Sequence, residues 1–160
     1  MGETICSRCE RSFSKREGLV IANICQSCLN VLPSLTKAEI TSFLGSITLP
    51  AAFVNNDLSI RISNDLLREM IDTLTVDLLR VKIGKALECA YVSEHTRCGE
   101  EQVCLQCGVR RMVDLARITG NRFVDVPLCL QSKSRIERKL LFTFAKAGDA
   151  VLIVFKSASV

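Results

Sequence analysis

The chain has 160 residues, is 48% hydrophobic and 24% charged, and carries a formal net charge of +4. This much apolar material can build one sizeable core, which excludes disorder as the default state. No apolar run approaches the roughly 20 residues that cross a bilayer, and the opening Met1-Gly2-Glu3-Thr4 lacks the basic and apolar regions of a secretory leader, so a soluble cytoplasmic protein with reduced thiols is expected.

The first segment, residues 1–33, is dense in cysteine and closes at Pro33, a natural boundary. It carries Cys6-x2-Cys9-x15-Cys25-x2-Cys28. Each C-x2-C turn aims two sulfurs the same way, and two such turns at this separation can place four thiolates around one tetrahedral Zn²⁺. A segment this short rarely folds without a metal or a disulfide, so Cys6, Cys9, Cys25 and Cys28 are expected to be ligands of a closed structural site of zinc-ribbon or knuckle type. Its four basic residues, Arg8, Arg11, Lys15 and Arg16, face the acidic Glu3, Glu10 and Glu17. That near-balance is not the footprint of a nucleic-acid binder.

Thr36-Lys37-Ala38-Glu39 reads as a capping box, with Leu35 and Ile40 placed as its hydrophobic staple. The helix it opens, a linker over 34–47, lines up Ile40, Phe43, Leu44 and Ile47 on one face and must stop by Pro50. Such a stripe needs a partner surface, and a homodimer formed through it is expected.

From Ala51 the period changes to that of strands: Ala51–Val54, a turn at Asn55-Asn56-Asp57, then alternating Leu58–Ile62, which together read as a hairpin. Leu67, Met70, Ile71 and Leu74 mark a helical face after Ser63. A second cysteine set follows, Cys89-x8-Cys98-x5-Cys104-x2-Cys107. Four thiolates suit zinc first, with an iron–sulfur cluster or a thiol–disulfide switch as alternatives, because spacing alone separates these poorly. His95, the chain's one histidine, is expected to be solvated rather than a replacement ligand, and Cys129 to be a small core residue on a strand. Val109, Met112, Val113 and Ala116 define an amphipathic helix that Gly120 ends. Strands at Val124–Leu130, Arg138–Ala145 and Ala150–Phe155 close the chain, the last two joined by a turn at Lys146-Ala147-Gly148-Asp149.

Two strands, then helices, then three strands is the order of an α+β domain with one antiparallel sheet. Residues 48–157 resemble a PAS domain: Leu49–Val54 as the first strand, Leu58–Ser63 as the second with Asn64 starting a helix, and the three closing strands. Gly84-Lys85-Ala86-Leu87-Glu88-Cys89, followed by Cys98-Gly99 and Cys104-Leu105-Gln106-Cys107-Gly108, is similar to a cysteine-rich subgroup of bacterial PAS sensor modules. The resemblance implies a five-stranded antiparallel sheet with helices on one side, over residues 48–160, and it implies sensing and dimerisation. No kinase, cyclase or DNA-binding segment follows in the sequence, so output is expected to pass through a partner signalling protein.

No phosphate-binding glycine loop, nucleophile elbow, H-E-x-x-H or paired-carboxylate motif is present, and an enzyme is not expected. The expectation is a signalling or regulatory sensor that binds metal through both cysteine sets. A nucleic-acid-associated zinc-ribbon adaptor is the runner-up, and a thiol redox protein comes third.

Overall fold

The computed structural model describes residues 2–70, 81–92, 98–132 and 137–157. The segment read as a helical face through Ile71 and Leu74, and the run containing His95, lie outside them.

Five strands form the antiparallel sheet: β5 (Ala51–Val54), β6 (Ile60–Ser63), β7 (Phe123–Gln131), β8 (Glu137–Ala147) and β9 (Ala150–Ser157), in the spatial order β6-β5-β9-β8-β7. The hairpin expected after Ala51 is β5–β6, turned by Leu58 at φ +70° with its N–H on the Asn55 carbonyl. The β8–β9 hairpin turns at Gly148-Asp149, tighter than the four-residue turn expected, and Gly148 takes φ +58°, a conformation glycine adopts without a Cβ penalty.

Strands β5 and β9 run almost entirely buried instead of alternating, because both faces of the sheet are covered. On one face Ala52, Val54, Phe142, Phe144, Val151, Ile153 and Phe155 pack under helices α3 (Asp65–Met70), α4 (Ile83–Ala86) and α5 (Gly108–Thr119), which contribute Leu67, Ile83, Ala86, Val109, Val113 and Ala116. This is the helical side that the PAS resemblance implies. The other face, Ala51, Phe53, Ala145, Ala147, Leu152 and Val154, is covered by the N-terminal segment and by α2 (Lys37–Gly45).

Helix α2 begins as its sequence says. Thr36 Oγ1 accepts the Glu39 N–H, and the Glu39 carboxylate accepts the Thr36 N–H, so the capping box is complete. Ile40, Leu44 and Ile47 are buried, and Phe43 lies 6.2 Å from the Phe53 ring, all against the chain's own sheet. The apolar stripe expected to carry a homodimer is therefore covered from within. The surface invoked for the dimer is the inner lining of a second core.

Candidate metal centre

The N-terminal segment builds its site from two short hairpins and a helix. β1 (Thr4–Ile5) pairs with β2 (Ser12–Phe13), and the turn between them holds Cys6 and Cys9. Glu10, at φ +61°, gives its N–H to the Cys6 carbonyl and lets this turn close. β3 (Gly18–Leu19) pairs with β4 (Ile24–Cys25), which delivers Cys25, and α1 (Gln26–Val31) starts at once, so that Cys28 lies within its first turn. Two-residue strands have little stability of their own, and here they close over Phe13, Leu19, Ile24 and Leu29, all buried. Gly18 is required: a Cβ there would lie 2.5 Å from the Ile24 carbonyl oxygen and 2.7 Å from Cys25 Cα.

The four sulfurs of Cys6, Cys9, Cys25 and Cys28 all lie within 4.8 Å of one another, with Cys9 and Cys25 at 3.8 Å. A tetrahedron with metal–sulfur bonds of about 2.3 Å has edges of about 3.8 Å. All four are free thiols, Cys6 and Cys28 buried and the other two nearer solvent. Burial by itself would raise the Cys6 thiol, but the backbone N–H groups of Cys25, Cys9 and Arg8 converge on it and bring it down to about 6. Cys28 is pushed up to about 12 by burial and by the Cys25, Cys9 and Cys6 thiols, against the pull of the Arg8 guanidinium, whose Nη1 lies 3.9 Å from its sulfur. Four thiolates this close would repel one another. A divalent soft-acid metal removes that conflict, since each thiolate then faces the ion's charge.

The module is fastened to the sheet as well as packed on it. Gln26 Nε2 donates to the Lys146 carbonyl, and Gly148 N–H donates to Asn30 Oδ1. A Cβ on Gly148 would meet the Asn30 carbonyl oxygen at 2.7 Å, so glycine also permits this close approach. From the start of β7, Arg122 reaches back to donate to Gln26 Oε1 at 2.9 Å and to the backbone carbonyls of Lys15 and Arg16.

The second cysteine set lies on the opposite face of the sheet. Cys89 bridges to Ser132 beside the end of β7, Cys98 is buried against α4, Cys104 sits in a 3-10 turn (Gln102–Gln106), and Cys107 caps α5 with its carbonyl accepting the Arg111 N–H. All four line one cavity of about 290 Å³, together with Leu58, Ile83, Leu87, Val92 and Val109. Burial pushes the Cys98 thiol up, the Gly84 N–H on its sulfur opposes this, and the charges of Cys107, Cys104 and Cys89 add to the rise. These four share one cavity, but among the described residues only the first set gathers its sulfurs tightly enough to be grouped around one ion. Convergence to within the reach of one zinc ion, as expected from the sequence, is not what the backbone builds here.

No protein-family model matches the chain, and no curated protein matches it. Among solved structures it is similar to the PAS domain of nitrogen regulation protein NR(II) from Vibrio parahaemolyticus, at 11% identity and TM-score 0.47, over 74% of this chain and 97% of that one. It is also similar to the PAS domain, in complex with ethanol, of a LuxR-family transcriptional regulator from Burkholderia thailandensis, at 11% identity and TM-score 0.48, over 79% of this chain and all of that one. A C-terminal domain from Streptococcus mutans matches at 21% identity and TM-score 0.41, over 77% of this chain and 85% of that one.

Cys129 departs from expectation. It is exposed on β7, with its thiol against Glu137 of β8, because the neighbouring Leu128 and Leu130 take the core-facing positions of the strand. What sequence reading missed is the steric role of Gly84. A Cβ there would stand 2.6 Å from Cys98 Sγ, so this glycine makes the room in which that thiol sits. Its place at the head of the Gly84–Cys89 run was the available signal.

Proposed function

We propose that this chain is a cytoplasmic sensory or regulatory protein of PAS type, in which Cys6, Cys9, Cys25 and Cys28 hold one structural zinc ion and the cysteine-lined cavity on the other face of the sheet receives the signal. The observation that carries the metal assignment is the approach of four sulfurs to within 4.8 Å, one edge already at tetrahedral length. Four thiolate donors are the set that zinc prefers for structural sites, and they leave no open position for a substrate water. The metal's contribution is to fold the N-terminal layer. That layer in turn covers one face of the sheet, leaving the cysteine-lined face as the variable one.

The sensory part of the reading is supported by the resemblance of residues 48–157 to PAS modules and by a cavity enclosed by chemically responsive side chains. Output is proposed to run through contacts with another protein chain, as a homodimer or with a signalling partner.

Purified protein should contain about one zinc per chain bound at this set. Cys25→Ser should lose that zinc, as read by elemental analysis, while Cys129→Ser should keep it. Retention of full zinc by Cys25→Ser would remove the assignment.

A further inference from the structure

The two cysteine quartets of the molecule are arranged differently. The sulfurs of the first gather within 4.8 Å of one another, whereas Cys89, Cys98, Cys104 and Cys107 line a cavity of about 290 Å³ and form no group as tight among the described residues. One zinc ion demands sulfur–sulfur edges of about 3.8 Å. Thiolates bound to different irons of one cluster stand farther apart, because the inorganic core lies between them. We propose that these four cysteines hold an iron–sulfur cluster, and that this cluster, not a second zinc, occupies the cavity.

The surroundings fit such a group. The donors are all thiolates, the ligand type that iron–sulfur clusters take. Leu58, Ile83, Leu87, Val92 and Val109 wall the cavity, which would keep water from the cluster. Gly84 directs its N–H to Cys98 and its missing Cβ leaves that sulfur its place. An N–H on a ligand sulfur is one of the levers that set a cluster's potential. Cys107 stands at the start of the twelve-residue α5, and Arg110 lines the same cavity with Nη1 on the Gly99 carbonyl. The helix N-terminus and the guanidinium both favour the net negative charge of a four-thiolate cluster. Cys129 borders the same region but turns its thiol to Glu137, and it is not a ligand.

This inference rests on the reading of the cavity as the sensory centre, and it supplies the chemistry sensed there: oxygen or redox state, to which solvent-shielded clusters respond by changes of charge or by loss of the core.

The test uses the full-length chain, purified without oxygen and, in a second sample, reconstituted with ferrous iron and sulfide. Iron, acid-labile sulfide and zinc are measured together with the visible spectrum. The expected result is iron and sulfide in about equal amounts, a thiolate-to-iron absorption, and about one zinc per chain retained at the first set. Cys98→Ser and Cys107→Ser should lose most of the iron and keep the zinc, whereas Cys25→Ser should lose the zinc. Gly84→Ala, with Cys98 pushed from its place, should incorporate several-fold less iron, and Cys129→Ser as much as the parent. About two zinc ions per chain with no iron after reconstitution would overturn the cluster, as would a Cys98–Cys107 or other disulfide in the anaerobic protein. So would full iron content in Cys98→Ser. Loss of zinc from the parent protein would instead count against the first site, so the two failures are told apart.

Discussion

Asn64 shows how much one polar side chain can organise. It is 6% exposed, and its Oδ1 accepts the N–H groups of Ala51 and Leu67 while its Nδ2 donates to the carbonyls of Leu44 and Leu49. The end of α2, the entry to β5 and the first turn of α3 are thereby tied at one point. In the sequence Asn64 is readable as a helix start, and it does cap α3, but the other three bonds depend on tertiary neighbours that no local pattern names. Asn64→Ala should strand the Ala51 and Leu67 N–H groups and take a partner from the Leu49 carbonyl, while the Leu44 carbonyl keeps the Ile47 N–H, and should lower stability by about 3 kcal/mol, measured by urea denaturation. A loss below about 1 kcal/mol would mean that water replaces the amide without penalty. The cysteines show the same contrast. Cys6, Cys9, Cys25 and Cys28 could be assigned because C-x2-C turns fix their own geometry, whereas the placing of Cys98 depends on a glycine fourteen positions earlier in the chain.

At the scale of elements, periodicity located β5 to β9, α2 and α5, the capping box marked the start of α2 and Gly120 the end of α5, whereas α2 stops at Gly45, short of the expected Ile47. Gly120 closes α5 at φ +70° with its N–H on the Ala116 carbonyl, as its position after the last apolar residue implies. What periodicity could not supply was the partner of the α2 stripe. An amphipathic helix reads the same whether it meets a second chain or its own sheet. The distinguishing clue lay in the strands: Ala51–Val54 and Ala150–Phe155 are apolar at every position, which means two covered faces, and α2 with the metal module is the second cover. β1 to β4 were not legible, since two-residue strands follow from where the thiols must meet. Leu44 is fully buried between α2 and the sheet, so Leu44→Ala should cost about 2–5 kcal/mol. Light scattering should show the same oligomeric state before and after the change. Dissociation of a dimer with stability unchanged would instead return the stripe to an intermolecular role.

At the scale of the whole molecule the sheet is a wall shared by two packed layers. Along β9, Leu152 and Val154 face the N-terminal layer, while Val151, Ile153 and Phe155 face the core beneath the cysteine-lined cavity. Packing on each face limits how the same strand can move, so order in the N-terminal layer is felt across it. A module closed by its own metal could in principle lose that metal and unfold by itself, leaving the sheet intact. The structure argues for a cooperative loss. Removing zinc would free α1 from Lys146 and Gly148, release Arg122 from Lys15, Arg16 and Gln26, and open Phe53, Leu152 and Val154 to water. A strong zinc chelator should therefore lower the thermal midpoint of the entire chain by at least several degrees, since a few kcal/mol shifts a domain of this size by roughly that much. Hydrogen exchange should rise along β5 and β9 in the same titration. Arg122→Ala should weaken the coupling, so that chelation of this variant frees the module with a smaller effect on β9. If exchange in β5 and β9 stays at its zinc-bound rate when residues 2–31 have lost protection, the two faces of the sheet are energetically independent and zinc serves the N-terminal layer alone.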